Sequence, residues 1–287
     1  MTDSSRRPLS AALRLLLFLS SCLALLVLVA GALKTSATIW AQLNPAYLPL
    51  AQSTVLTLGH QHAGTLLLVL LAVCAWFAWK SSDRIIWWLT GAALIAGLCE
   101  MLTVVIGPLH NATYLAAAHA MCGHTIFACL ASAAIIAITG SRHTEPTIAI
   151  SGGFPLVSLA VWIPPLVLTQ VAMGALYRHD LWGVVPHMAG AMAVAFLFVA
   201  EGVILLQKAP EHRLLSRAAT WGITVVIVQI SLGIADFLLR LLDFQDSLVW
   251  TVLSVAHVTV AAFVFTASIC LAVSVRAYVR EMRAGNS

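Results

Sequence analysis

The sequence contains very little charge. Asp, Glu, Lys and Arg make up 9% of its 287 residues, whereas 61% of the residues are hydrophobic. A soluble domain carries about 25% charged residues, and a disordered chain combines high charge with low hydrophobicity, so both classes are excluded. Long apolar runs take the place of charge. Because a membrane-spanning helix needs about 20 apolar residues, a chain of this length has room for eight spans and little else.

The sequence also lacks a cysteine pattern that indicates chemistry. All six cysteines lie within apolar runs, and no C-x-x-C pair is present. They are Cys22, Cys74, Cys99, Cys122, Cys129 and Cys270. The cysteines therefore indicate neither an extracytoplasmic disulfide framework nor a thiol redox site.

Eight apolar segments predict eight transmembrane helices. The segments are Ala12–Leu33, Thr54–Trp79, Ile86–Gly107, Tyr114–Ile138, Pro155–Leu176, Val184–Leu206, Ala218–Leu239 and Val249–Val275. Their lengths suit helices, in which every backbone polar group is satisfied within the span. The first run is longer than the apolar region of a signal peptide, so we expect a retained span. The predicted fold class is all-α, a polytopic membrane protein.

The distribution of Lys and Arg predicts the orientation in the membrane. Of the 15 basic residues, only Lys34, Arg178 and Arg240 fall on the outer side when the N-terminus is placed inside. Cytoplasmic loops carry an excess of Lys and Arg, so both termini are predicted to be cytoplasmic in a plasma-membrane protein. The net charge of +4 comes from 15 basic against 11 acidic residues and has to be interpreted loop by loop, so we expect contact with the bilayer and no nucleic-acid partner.

The two halves of the sequence resemble each other. Residues 29–34 read Val-Ala-Gly-Ala-Leu-Lys, and residues 172–176 read Ala-Met-Gly-Ala-Leu, with Arg178 two positions later. This similarity predicts a duplicated unit that forms two pseudo-symmetric four-helix bundles. The predicted halves are residues 1–145 and 146–287, joined near Ser141–Gly152.

Four histidines lie within the even-numbered segments, at similar depth in the outer half of the membrane. They are His62, His119, His187 and His257. Polar groups at membrane depth are costly and usually face a partner or a ligand. Two neutral imidazoles on facing helices can bind one haem iron. The pattern predicts two pairs, His62 with His119 and His187 with His257, and these four residues are the predicted iron ligands.

Small residues near these histidines leave room for a macrocycle, although small residues also mediate ordinary helix packing. Gly59 and Gly64 flank His62, and Gly190 lies one turn after His187. A zinc site is a weaker alternative, because its ligands must converge on one point. His60 lies about 200° around the helix from His62, so we expect it to have an interhelical or interfacial function.

Charged residues near the outer ends of the spans are further candidates. Glu100 has no charged neighbour in its segment, so it is either a functional group or a protonated carboxyl bonded to an adjacent helix. Asp236 and Arg240 are four residues apart and are expected to pair. Arg178 and Arg240 are alternatively candidates for binding haem propionates, because guanidinium suits carboxylates.

Taken together, the sequence resembles the haem A synthase family of cytochrome c oxidase assembly proteins, from about Leu13 to Arg276. The resemblance depends on the two similar halves and on one histidine in each even-numbered span. Local stretches that carry it are residues 59–62 (Gly-His-Gln-His), 100–103 with 118–119, 170–176, 186–191, and 229–233 with 256–257. No single stretch is specific to the family, but the order and spacing of the stretches together are specific to it.

The resemblance implies a haem b bound by His187 and His257, and a substrate haem near His62 and His119. It implies oxidation of a methyl group of haem O to the formyl group of haem A. Family members usually have glutamate three residues before the first histidine and arginine just after it, where this sequence has Gly59 and Ala63. Glu100 is therefore the candidate catalytic carboxyl.

The resemblance also implies partners and leaves other functions open. Haem O synthase, cytochrome oxidase subunits and further copies of this chain are the expected partners. A non-catalytic factor that holds haem during oxidase assembly is one alternative. A dihaem b-type protein that takes electrons from quinol is another.

Overall fold

A computed structural model of the protein describes residues 9–43, 52–81, 83–106, 112–139, 146–151, 155–245 and 247–282. In these residues it contains eight helices that are long and apolar enough to cross a membrane. They are α1 (Ala11–Leu43), α2 (Thr54–Lys80), α3 (Arg84–Ile106), α4 (Ala112–Thr139), α5 (Leu156–Arg178), α6 (Val184–Lys208), α7 (Arg213–Leu241) and α8 (Leu248–Tyr278). The predicted all-α fold with eight candidate spans is confirmed, and it is consistent with an integral membrane protein.

The main difference from the predicted boundaries concerns α1, which continues to Leu43 instead of ending at Leu33. Part of the outer loop predicted for Lys34–Ser53 is therefore helical, and residues 44–51 lie outside the described residues. Packing explains the extension, because Ser36 and Ala37 are fully buried against the neighbouring helices. Half of the predicted join at residues 141–152, namely residues 141–145 and 152, also lies outside the described residues.

Serine caps fix the start of two helices that carry histidines. Ser53 precedes α2, and its side chain accepts a hydrogen bond from the backbone N–H of Leu56 at 3.3 Å. Ser247 precedes α8 and accepts from the N–H of Trp250 at 3.1 Å. A capping hydroxyl satisfies one of the free N–H groups of the first turn, so it sets the residue at which the helix begins.

Each half of the chain forms a ring of four helices. In the N-terminal half α1 contacts α2, α2 contacts α3, α3 contacts α4, and α4 contacts α1. The same order of contacts recurs from α5 to α8. The two rings meet where α4 and α8 pack together, and 56% of the most apolar stretch of each of these helices is buried, against 11% for α7.

A short parallel strand pair, which the sequence did not predict, lies at the ends of the C-terminal half. It joins β1 (Ile148–Ser151) to β2 (Val279–Met282), with Ile148 opposite Val279. The pair links the segment before α5 to the end of α8. It therefore ties the connection between the halves to the last helix.

Close packing of α6 on α7 gives a test of the fold. A Cβ atom at Gly222 would lie 2.5 Å from Cε1 of the fully buried Phe198. Because an overpacked core has to shift, we expect Gly222→Val to destabilise the protein by about 1–3 kcal/mol. Thermal unfolding in detergent, followed by far-ultraviolet circular dichroism, measures this change. Gly91→Val is the control, because no described atom lies within 4 Å of its Cβ position, and equal losses in both variants would contradict the packing.

Candidate functional site

The structure brings His187 of α6 and His257 of α8 together, as the sequence predicted. Their ring centroids lie 6.4 Å apart, and the ring planes are nearly perpendicular, at 87°. Both side chains are partly buried. The two imidazoles therefore meet edge to face in the N-terminal parts of their helices.

The spacing of the two rings fits a metal ion bound between them. A metal–imidazole bond is about 2 Å long and the ring centroid lies about 1 Å behind the ligating nitrogen, so two axial imidazoles place their centroids roughly 6 Å apart. The 6.4 Å between His187 and His257 agrees with this value. This distance would allow His187 and His257 to hold a haem iron between them, and it also lies within the range of packed aromatic rings.

Each ring of this pair rests on a glycine of the preceding helix. A Cβ at Gly174 would lie 2.9 Å from Cε1 of His187, and one at Gly233 would lie 2.8 Å from Cε1 of His257. Such distances exclude any side chain at either position unless the ring moves. In both contacts Nε2 is farther away than Cε1 or Nδ1, at 3.7 Å. The glycines thus lie against the edge of each ring that carries Cε1.

In the N-terminal half the ring beside His119 belongs to His60, and not to His62 as predicted. The centroids of His60 and His119 lie 6.0 Å apart with planes at 63°. His62 is exposed, and its Nδ1 lies 2.6 Å from the carbonyl oxygen of Leu58 in its own helix. Two residues turn a helix by about 200°, so only one of the two histidines can face the bundle.

The reason for this correction is the face of α2 that packs inward. Its buried residues are Leu67, Leu71, Cys74 and Ala78. Their spacing from residue 60 places them on the side of His60. The ring of His60 also rests on a glycine, since a Cβ at Gly31 would lie 3.1 Å from its Cε1. The glycines that flank His62, Gly59 and Gly64, have no described atom within 4 Å of their Cβ positions.

Glu100 of α3 lies at the N-terminal pair. Its Oε1 is 3.4 Å from Nε2 of His119. Thr103 donates its hydroxyl hydrogen to the carbonyl oxygen of Glu100 at 2.7 Å, and its Oγ1 lies 3.4 Å from Nδ1 of His119. Because the hydroxyl hydrogen is already used, Oγ1 is available to accept from Nδ1–H. The tautomer of His119 depends on Glu100: an ionised carboxylate accepts from Nε2–H, whereas a protonated carboxyl group donates to an Nε2 lone pair while Nδ1–H donates to Thr103.

Arg178, at the end of α5, joins the two halves. It donates to the carbonyl oxygen of Ala32 at 3.1 Å and to the hydroxyl of Ser36 at 2.7 Å, both in α1. It also donates to the hydroxyl of Ser254 at 2.6 Å, one turn before His257. Beyond the helix end, burial and the charge of Arg178 lower the pKa of His179. The guanidinium of Arg178 therefore links α1 of the N-terminal half to α8, the helix that carries His257.

Arg240, near the end of α7, lies close to the C-terminal pair. It pairs with Asp236 as predicted, with 3.4 Å between Nε and Oδ2. Its guanidinium carbon lies 5.0 Å from the ring centroid of Tyr177 and 5.3 Å from that of Trp250. Tyr177 in turn stacks on His187, with centroids 6.2 Å apart. Aromatic faces thus fix the position of this charge beside the pair.

In the described part of the chain, no three His, Cys, Asp or Glu side chains converge to hold a metal ion directly. Each paired site therefore offers two histidine rings. Comparison of the sequence with protein-family models found no match, and comparison with curated proteins found none either. The chemistry of the sites thus has to be argued from their geometry.

The contacts of Arg178 give a second test. Arg178→Met removes three hydrogen bonds and leaves Ser36, Ser254 and the carbonyl oxygen of Ala32 without this donor. We expect a loss of about 1–3 kcal/mol in the free energy of unfolding. Thermal unfolding in detergent measures it, with Arg217→Met, at an exposed arginine of α7, as the control. If the two variants lost equal stability, Arg178 would not join the halves.

Proposed function

We propose that the protein is a haem-binding membrane oxidoreductase of the haem A synthase type, with one paired-histidine site in each half. The observation that carries the proposal is the recurrence of the same geometry. Ring centroids lie 6.0 Å apart in one half and 6.4 Å apart in the other. Three of the four rings rest on glycine. Ordinary packing between helices does not require a close pair of histidine rings, or a ring resting on a glycine, in both halves of the chain.

In the C-terminal half, His187 and His257 are the proposed axial ligands of haem b. Gly174 and Gly233 leave room for the edge of each ring that carries Cε1. Arg178 and Arg240 place two positive charges near the pair, which suits the propionates of haem. A bound haem supplies electron-transfer and oxygen chemistry, while the protein sets its position and electrostatics.

In the N-terminal half, His60 and His119 are the proposed ligands of the substrate, haem O, in place of the predicted His62. Glu100 is the proposed catalytic carboxyl, because its Oε1 lies 3.4 Å from Nε2 of His119, and the carboxyl group can hold or donate a proton beside the substrate. The residues three before and one after His60 are Thr57 and Gln61. Neither is the glutamate or arginine of the family pattern, so the carboxyl comes from α3.

The proposal also covers the location, orientation and partners of the protein. The positive-inside distribution supports cytoplasmic termini in the plasma membrane, which places both pairs in the outer half of the bilayer. Partners that this function requires are a supplier of haem O, such as haem O synthase, and the oxidase subunits that receive haem A. A homo-oligomer and a duplicated four-helix unit belong to the same proposal.

The departure from the family pattern favours a second candidate, a non-catalytic protein that holds haem during oxidase assembly. Gly59, Thr57, Gln61 and Ala63 supply no acid or base beside either histidine of α2. A dihaem protein reduced by quinol is consistent with the same two pairs. Only the synthase converts haem O to haem A, so product analysis separates these functions.

Two histidines on opposite faces of α2 test the N-terminal site. We expect His60→Ala to abolish haem binding at this site, because it removes the ring beside His119. His62→Ala is the matched control and should keep full occupancy, since its ring is exposed. Haem content per chain and the reduced-minus-oxidised spectrum of each purified variant measure the effect. Loss of haem in His62→Ala alone would restore the pairing predicted from the sequence.

Substitution of Glu100 tests whether its carboxyl group takes part in the formation of haem A. In cells that supply haem O, we expect Glu100→Ala to retain bound haem but to form haem A about 10²-fold more slowly, since it loses a positioned acid–base group. Chromatography of the extracted haems measures substrate and product. Glu211→Ala, at an exposed position, is the control. Full turnover in Glu100→Ala would remove Glu100 from the mechanism, and absence of haem A from the wild type would favour the haem-holding function.

A further inference from the structure

Lys34 is a charged residue within α1 that has no counter-ion in the described part of the chain. It lies in a helix long enough to span the membrane, and it is partly buried. Among the residues that the structure describes, no carboxylate pairs with its ammonium group and no acceptor forms a hydrogen bond with it. An ionisable group at membrane depth usually faces a ligand or a cavity, or extends to the headgroup region.

Lys34 lies one turn after the glycine that supports the ring of His60. A Cβ at Gly31 would lie 3.1 Å from Cε1 of His60, and this ring in turn lies 6.0 Å from that of His119, centroid to centroid. Residues three apart share a face of a helix and are separated by about 4.5 Å along its axis. Consistent with this placement, the charge of Lys34 acts on both His60 and His119. Lys34 therefore lies on the side of α1 that faces the N-terminal pair.

The same offset in the C-terminal half places a side chain against a histidine ring. Tyr177 lies three residues after Gly174, and its ring stacks on that of His187 with the centroids 6.2 Å apart and the planes at 15°. The guanidinium carbon of Arg240 lies 5.0 Å from the ring centroid of Tyr177. Each half thus has a positive charge beside its pair, which is Arg240 on Tyr177 in one half and Lys34 itself in the other.

The charges already paired in the N-terminal half leave Lys34 available for an anion. Glu100 contacts Nε2 of His119 from α3 and forms no ion pair with Lys34. Arg178 donates to Ser36, two residues after Lys34, and two residues turn a helix by about 200°, so the guanidinium lies on another face of α1. Haem carries two propionates, and a charge-assisted hydrogen bond from an ammonium group to a carboxylate is among the stronger polar contacts.

We propose that Lys34 binds a propionate of the haem held by His60 and His119, so that the N-terminal site selects ligands that carry a free carboxylate. The inference rests on the proposed haem-binding function and deepens it, because it names the part of the substrate that this half recognises. The positive charges that suit propionates in the C-terminal half, Arg178 and Arg240, belong to a different site.

Comparison of haem b with its dimethyl ester tests the proposal, because the ester keeps the iron and the macrocycle but has no carboxylate. The full-length protein in detergent carries His257→Ala, which leaves one paired site, and each ligand is titrated by absorbance. In this background, Lys34→Met removes the charge at similar length and Lys34→Arg keeps it. Lys208→Met, at an exposed position at the end of α6, is the matched control.

The quantity to compare is the ratio of the dissociation constant of the ester to that of haem b. We expect this ratio to fall about 10-fold in Lys34→Met, because loss of a close charge pair weakens the binding of the carboxylate form alone. The affinity for the ester should stay the same in this variant. Lys34→Arg and Lys208→Met should keep the ratio of the background protein.

Two outcomes would overturn the inference while the proposed function stands. One is equal affinity of the background protein for haem b and for the ester, which requires no change at Lys34. The other is a ratio that Lys34→Met leaves unchanged, including equal weakening of both ligands, and Lys34 would then extend to lipid headgroups or support the fold. If the His257→Ala protein binds neither ligand while the wild type binds haem, the proposed substrate site fails and the inference fails with it.

Discussion

The structure depends on the cost of placing imidazole groups within a membrane. A polar ring in hydrocarbon has to find partners, and here each histidine of the two pairs meets a second ring from the same half. Glycines Gly31, Gly174 and Gly233 allow the rings to approach the neighbouring helices closely enough for this. The ring of four helices in each half brings the second and fourth helices around one space. The paired histidines, the glycine contacts and the helix order are therefore parts of one arrangement.

The two sites share this plan but differ in the groups around the rings. His187 and His257 contact neutral amides, which can donate or accept. His119 contacts a carboxyl group and a threonine hydroxyl. Histidine rings in contact with neutral amides suit a permanently held cofactor, whereas a carboxyl group beside a ring suits a site where protons move. This contrast supports the proposed division between a haem b site and a substrate site. Arg178 connects the two sites, because it contacts both α1 and α8.

Sequence patterns predicted the fold well because the constraint behind it is simple. Eight runs of sufficient apolar length allow few structures in a bilayer, and the predicted starts of α2 and α6, at Thr54 and Val184, are those of the structure. The pair His187–His257 was predicted because each of its helices carries only one candidate within the span. The ion pair between Asp236 and Arg240 was predicted because residues four apart lie on the same face of a helix.

The same patterns failed at α2, where two histidines stand two residues apart. Its run is apolar on all sides, so no periodicity showed which face packs inward, and the glycines beside His62 suggested the wrong one. The useful signal was the resemblance between Gly31 and Gly174, since both glycines contact the histidine of the next helix. The end of α1 was also misplaced, because Ser36 and Ala37 are held in the helix by tertiary packing that no local pattern reveals.

The central claim is that each half of the chain binds one haem between two histidines. Titration of haem-free protein with haem, followed by the absorbance of the bound form, tests it most directly. The account predicts saturation at two haems per chain, with the spectrum of low-spin haem bound by two imidazoles at the C-terminal site. Saturation at one haem would limit the claim to His187 and His257. Absence of any saturable binding would contradict it, and the four rings would then only pack the helices.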